Sequence, residues 1–137
     1  KNDYNTAWSM ITKFGLKDYF LFPKINWGLK SENIKAIAKE MNINVDTFAF
    51  IDDSIFEREE VKSVLPEVRI YDVKDIKKIE GLSEFNVPIT SQSYTRRISY
   101  LENIEREKEY KTSNNDFDQF LLSCKMKMSI LESIITT

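Results

Sequence analysis

The sequence predicts an α/β fold organised on a short parallel sheet, and three observations predict it. Phe48, Ala49, Phe50 and Ile51 form a wholly apolar run, the pattern of a strand covered on both faces. Asp52 and Asp53 follow at once, and Ser54 with Glu57 three residues on has capping-box spacing, so a helix starts there. Residues 68–73 then alternate apolar and polar side chains, as a strand nearer a sheet edge does. Strand, helix and strand in so short a span make a tight right-handed crossover. Ligands of open α/β sheets bind at the carboxyl ends of strands, which puts the acidic pair at the functional rim.

Two adjacent carboxylates repel each other and are costly to desolvate. A hard divalent cation such as Mg²⁺ relieves both problems, because it takes oxygen ligands and needs only one or two carboxylates. Asp-Asp-Ser is equally the composition of a plain capping turn, since Asp and Ser are favoured at helix starts. The pair needs support from elsewhere in the chain.

Composition narrows the chemistry. The chain has 137 residues, 20 basic and 22 acidic, for a net charge of −2. That is length for a core but no global field to attract nucleic acid or an anionic membrane, and no apolar run approaches a membrane span. The single cysteine, Cys124, excludes an internal disulfide and a thiolate metal cluster, and makes a reducing, cytoplasmic setting the expectation. With no histidine, Ser-His and Cys-His catalysis and ordinary zinc sites are excluded. Carboxylates, lysines and oxygen-ligated metals remain.

Along the chain, Ala7, Met10, Ile11 and Phe14 recur at helical spacing, with Gly15 as a left-handed stop. A chain that opens at a loop-to-helix junction reads as a fragment whose preceding strand is missing. Residues 20–27 suggest an irregular segment with a short strand. Ser31 is the expected cap of an amphipathic helix carrying Ile34, Ile37, Ala38 and Met41, with Asn42 as its exit. Lys30 then stands at a helix N-terminus, where the backbone already favours an anion and an ammonium adds a point charge suited to phosphate. A solvated surface lysine is the plain alternative.

The helix after the acidic pair is expected over residues 55–65, with Phe56, Val61 and Val64 as core contacts. Residues 81–91 read as a connector between residues 1–80 and a helical extension over residues 92–137. The extension opens on a long charged helix carrying Tyr94, Ile98, Leu101 and Ile104, with Glu102–Arg106 and Glu107–Lys111 at pairing distance. Phe117, Phe120, Leu121 and Cys124 repeat at helical spacing, making Cys124 a core residue rather than a nucleophile. Met126, Met128 and Ile130 alternate with polar residues as in a strand.

Three features occur in one order: Lys1-Asn2-Asp3, then Asn26-Trp27-Gly28-Leu29-Lys30 with Asn33-Ile34, Ile37-Ala38 and Met41-Asn42-Ile43 after it, then Phe50-Ile51-Asp52-Asp53 with Glu57-Arg58. Together they resemble the second half of a haloacid dehalogenase-type (HAD) phosphotransfer domain, in its FkbH-like branch, subfamily IIIC. That branch carries "SKND", "NWxxK" and "FxDDxxxER" runs. The match covers residues 1–71. Tyr94-Thr95-Arg96-Arg97 resembles the region that follows the domain in that branch, which leads into an acetyltransferase-like domain that residues 117–132 would begin.

The resemblance implies a three-layer Rossmann-like parallel sheet, present in part. It also implies that Lys30 holds the substrate phosphate and the nucleophile's charge, and that Asp52 and Asp53 form the acidic pair for Mg²⁺, with Asp53 the closer contact. Asn2 would lie near the phosphate. The implied activity is that of a Mg²⁺-dependent phosphatase or phosphotransferase acting on a phosphorylated small molecule. In the FkbH-like branch it loads a glyceryl unit from an acyl phosphate onto an acyl carrier protein.

One departure limits the expectation. The family's nucleophile is an aspartate in a D-x-D turn at a strand end, and none follows an apolar strand here; Asp116-Phe117-Asp118 has nothing strand-like before it. These residues alone are therefore expected to lack phosphotransfer activity. The alternative is a non-catalytic interaction module, and an unpaired sheet edge invites a homodimer. A phosphate-responsive receiver domain ranks below both, because the lysine precedes the acidic pair instead of following it.

Overall fold

A computed structural model describes residues 1–112 together with 118, 121, 122, 124, 125 and 127. It divides into two units, Lys1–Ile89 and Thr90–Thr137.

The first unit is mixed α/β. Its order is α1 (Tyr4–Lys13), α2 (Lys30–Met41), β1 (Ala49–Asp52), α3 (Ile55–Val64), β2 (Arg69–Asp72) and a single-turn α4 (Ile76–Ile79). Short 3₁₀ turns lie at Lys17–Tyr19, Val45–Thr47 and Val73–Asp75. Among the described residues the sheet has two strands, β1 parallel to β2, in register from Ala49 with Arg69 to Asp52 with Asp72.

The core lies on one face of this sheet. Ile34 of α2, Val61 of α3 and Leu65, the residue that ends α3, pack with Val68, and Phe48, Phe50 and Ile70 close the cluster. Phe50 and Ile70 are register partners and point the same way, so α2 and α3 cover that face. Ala49 and Ile51 point the other way and are exposed, Ile51 by 37%. This corrects the expectation of a strand covered on both sides. An all-apolar run satisfies either arrangement, and with two strands only one layer of helices reaches it.

Helix phase decides which side chains of α3 matter. Val61 and Leu65, four apart, face the sheet, and Val61 is fully buried. Phe56 and Val64 were expected beside Val61 but point away and are 67% and 43% exposed. The same stripe logic holds in α2, where Ser31, Ile34 and Ala38 are buried at spacings of three and four. The helix leaves through Asn42 in the left-handed conformation, as read from the sequence.

Ser31 is not the cap of α2. The N-cap is Leu29, without a side-chain hydrogen bond, and Ser31 lies buried in the second helical position. α1 is peripheral and buries no residue; Met10 and Phe14 of its apolar face are exposed, while Trp8 packs edge-on against Phe20. Gly15 follows α1 at φ +69°, the left-handed stop that was expected. Residues 20–27 contain no strand. They are tied to α2 by the Lys24–Glu40 ion pair at 2.5 Å.

The second unit opens with α5 (Ser91–Thr112), a 22-residue helix that buries no side chain. It carries an ion pair, Glu105–Lys108 at 2.9 Å, and Arg106 bonds Asn103. Both links are three residues apart, where four-residue pairs from Glu102 and Glu107 were expected. Cys124 is a half-buried free thiol. Phe117, Phe120, Met126, Met128 and Ile130, and the segment 117–132 as the opening of a further domain, lie outside the described residues.

Candidate functional site

The acidic turn is built by the end of β1 and the start of α3. Asp52 is the last residue of the strand and is half-buried; its Oδ1 accepts the Ser54 N–H at 2.9 Å. Ser54 caps α3 by accepting the Glu57 N–H at 3.4 Å. Glu57 does not complete a capping box, because the Ser54 N–H is already taken by Asp52. Instead Glu57 Oε1 meets Lys1 Nζ at 3.5 Å. That contact brings the chain's first residue to the first turn of α3.

The two aspartates therefore do different work. Asp52 spends one carboxylate oxygen on the turn. Asp53 is exposed, and among the described residues its carboxylate has no hydrogen bond or ion pair. Backbone geometry thus separates a structural acid from one open to a ligand.

Arg58 locks the rim from below. Nη1 donates to the Asp52 carbonyl at 2.6 Å, and Nη2 pairs with Asp72 Oδ2 at 2.9 Å. Asp52 and Asp72 are register partners at the carboxyl ends of the two strands, so one guanidinium spans both ends. The Asp72 carboxyl is held below the usual aspartate range, first by the Lys74 N–H it accepts and then by the charge of Arg58, against partial desolvation. Sequence reading assigned no role to Arg58 or Asp72. The signal was there in the Arg of the "FxDDxxxER" run and in an aspartate closing each strand.

Lys30 is the first residue of α2 and is half-buried, with no ion pair among the described residues. The loop before it is fixed by a pair of amides: Asn26 Nδ2 donates to Asn33 Oδ1 at 2.9 Å, and Asn33 Nδ2 donates back at 3.0 Å. Asn26 Oδ1 also accepts the Gly28 N–H at 2.9 Å, a turn in which an added Cβ on Gly28 would sit 3.2 Å from that oxygen. Both Asn26 and Asn33 stand in the run that carries the resemblance.

The helix end beside Lys30 is not wholly open to an anion. Glu60 of α3 already stands at it: Oε2 accepts the Ser31 N–H at 3.1 Å, and Ser31 Oγ donates to Oε1. Of the first-turn N–H groups, that of Ser31 is thereby taken by a carboxylate of the fold.

Asn2 is exposed, and its Oδ1 accepts the Asp3 N–H at 2.8 Å. Asp3 caps α1 by accepting the Thr6 N–H and Oγ–H, both at 3.0 Å. Those bonds to Thr6 hold the Asp3 carboxyl below its ordinary range. Asn2 is thereby placed next in sequence to Lys1, which makes the contact with Glu57.

The donor set suits a hard cation held loosely. Asp53 offers a whole carboxylate, and Glu57 Oε2 is buried without a hydrogen-bond partner among the described residues. Among the described residues no group of three or more metal-ligating side chains converges, so Mg²⁺ would keep most of its shell as water, as it commonly does. No described helix is long and apolar enough to cross a membrane. No family model matches the chain, and neither curated proteins nor solved structures give a match.

Proposed function

We propose that this chain supplies the metal- and phosphate-binding part of a HAD-type phosphotransfer site, on a sheet of the three-layer Rossmann-like kind. Asp53, with Asp52 behind it, would hold Mg²⁺; Lys30 would neutralise a substrate phosphate; Asn2 would border the phosphate. The metal would supply charge neutralisation at the phosphoryl oxygens. The chain's own part is positioning: Arg58 fixes the strand ends, the Asn26–Asn33 pair fixes the approach to Lys30, and Lys30 brings a cation that needs no proton transfer. The nucleophilic aspartate, which no strand end here provides in a D-x-D turn, would come from another segment. A phosphorylated small molecule is the substrate class, and an FkbH-like role on an acyl carrier protein in the cytoplasm is the specific form that the sequence resemblance favours.

The observation that carries the reading is the division of labour in the acidic turn. Asp52 is consumed by the fold, while Asp53, at the carboxyl end of a parallel strand, has no partner among the described residues. The test is an amide ¹⁵N spectrum of the whole chain titrated with Mg²⁺ and then with inorganic phosphate. Mg²⁺ should move the amides of residues 52–54, and phosphate added with it should move Lys30. Asp53→Asn should abolish the first response and Lys30→Ala the second. A titration in which residues 52–54 stay still overturns the proposal. The exposed Ile55 and Phe56 beside the turn, 70% and 67% accessible, favour the second reading, an interaction module. It would gain if those two residues answered a partner protein while Asp53 ignored Mg²⁺.

A further inference from the structure

Glu60 has no role in the acidic turn, yet it makes a side-chain clamp between the two helices of the core that reaches a fully buried hydroxyl. Ser31 is 0% exposed, and both its N–H and its Oγ–H are directed at the two oxygens of the Glu60 carboxylate. A carboxylate bonded to a helix's first-turn N–H also satisfies the partial positive charge of that end. The clamp therefore does at α2 what a phosphate would do at an open helix start, and does it with a group rooted in α3.

The geometry then forms a chain of rigid links. Asp53 precedes Ser54, the cap of α3; α3 runs straight from Ser54 to Glu60; Glu60 holds Ser31; and Ser31 is next to Lys30. Each link is a helix or a hydrogen bond, with no flexible loop between the acidic turn and the lysine. We propose that Glu60 is a positioning residue for Lys30: it fixes the head of α2 to α3 and so sets the reach of the Lys30 ammonium to the cation site at Asp53. This rests on the phosphotransfer reading for what is being positioned. It adds that Lys30 contributes through its ammonium, since the Ser31 N–H beside it is already held by the Glu60 carboxylate.

Mn²⁺ is the probe, because its relaxation of nearby amides falls steeply with distance. In the wild-type chain, Mn²⁺ should broaden the Ser54 amide and, more weakly, those of Lys30 and Ser31. In Glu60→Ala, at equal broadening of Ser54, the effect on Lys30 and Ser31 should fall at least twofold. Glu60→Gln keeps an acceptor for the Ser31 N–H and should restore most of it, whereas a purely structural role would change thermal stability alone. Should Glu60→Ala fail to fold, Ser31→Ala removes only the hydroxyl bond and should give the same change in ratio at smaller size. A folded Glu60→Ala chain with the wild-type ratio overturns the proposal while leaving the metal reading intact. Broadening of Ser54 without any at Lys30 overturns it likewise. A wild-type chain whose Ser54 ignores Mn²⁺ overturns both, and so separates the two failures.

Discussion

Arg58 reaches across from α3 to Asp72 at 2.9 Å, and the same guanidinium holds the carbonyl of Asp52. It thus joins the carboxyl ends of the two strands through one side chain, beyond their backbone pairing and the packing of Phe50 and Ile70. Arg58→Ala should lower the urea midpoint of unfolding, since Asp72 Oδ2 and the strand-end carbonyl of Asp52 both lose the guanidinium that they accept from. Arg58→Lys should not restore the midpoint, because one ammonium cannot reproduce two fixed N–H directions. Equal midpoints for the lysine variant and wild type would contradict the bridge.

Asp72 gives that bridge a pH signature. Its folded pKa lies below the ordinary 3.8, through the Lys74 N–H first and Arg58 after it. A depressed carboxyl contributes stability that is full above the unfolded pKa and disappears as pH falls through the folded one. Wild type should therefore lose stability on acidification below the ordinary aspartate value more steeply than Asp72→Asn. Parallel acid limbs in the two unfolding series would refute the assignment.

Asp52 and Asp53 should separate cleanly. Asp52→Ala removes the acceptor of the Ser54 N–H at the turn and should cost about 1 kcal/mol or more. Asp53→Ala touches no bond among the described residues and should stay within about 0.5 kcal/mol of wild type. Chemical denaturation of both variants checks the pair, and a larger loss for Asp53 would reverse the roles given to them.

In the core the contrast lies along α3. Leu65→Ala empties a buried position and should cost about 2–5 kcal/mol. Phe56→Ser, at an exposed site, should fall within about 0.5 kcal/mol. A destabilised Phe56→Ser would mean that the ring is covered in solution, and sedimentation would then show whether a second copy of the chain covers it.

Much of this was legible in the sequence, and the misses share a cause. The apolar run at residues 48–51, the alternation after Val68 and the stripe Ile34–Ala38 located both strands and two helices, because period and burial agree there. Ser31 was misread because its residue type suits a cap, while the residue that claims it, Glu60, is 29 positions away. Phe56 was misread because hydrophobicity cannot fix helix phase once polar residues such as Glu57 and Arg58 face inward to partners. Within the acidic turn, sequence order located the pair, and the family resemblance favoured Asp53 for the metal. Only the hydrogen bond to Ser54 gives a physical ground for treating the two aspartates unequally.

The parallel register has a further meaning for how the chain folds. Each strand pair joins positions twenty apart, from Ala49 with Arg69 to Asp52 with Asp72. A parallel pair cannot start from a tight hairpin, because the crossover has to be traversed first. Sheet and crossover are therefore tied to each other, since Val61 of α3, fully buried, packs with Phe50 and Ile70 of the paired strands. Strand amides and α3 amides should accordingly exchange with solvent in a single opening step, as one foldon rather than two.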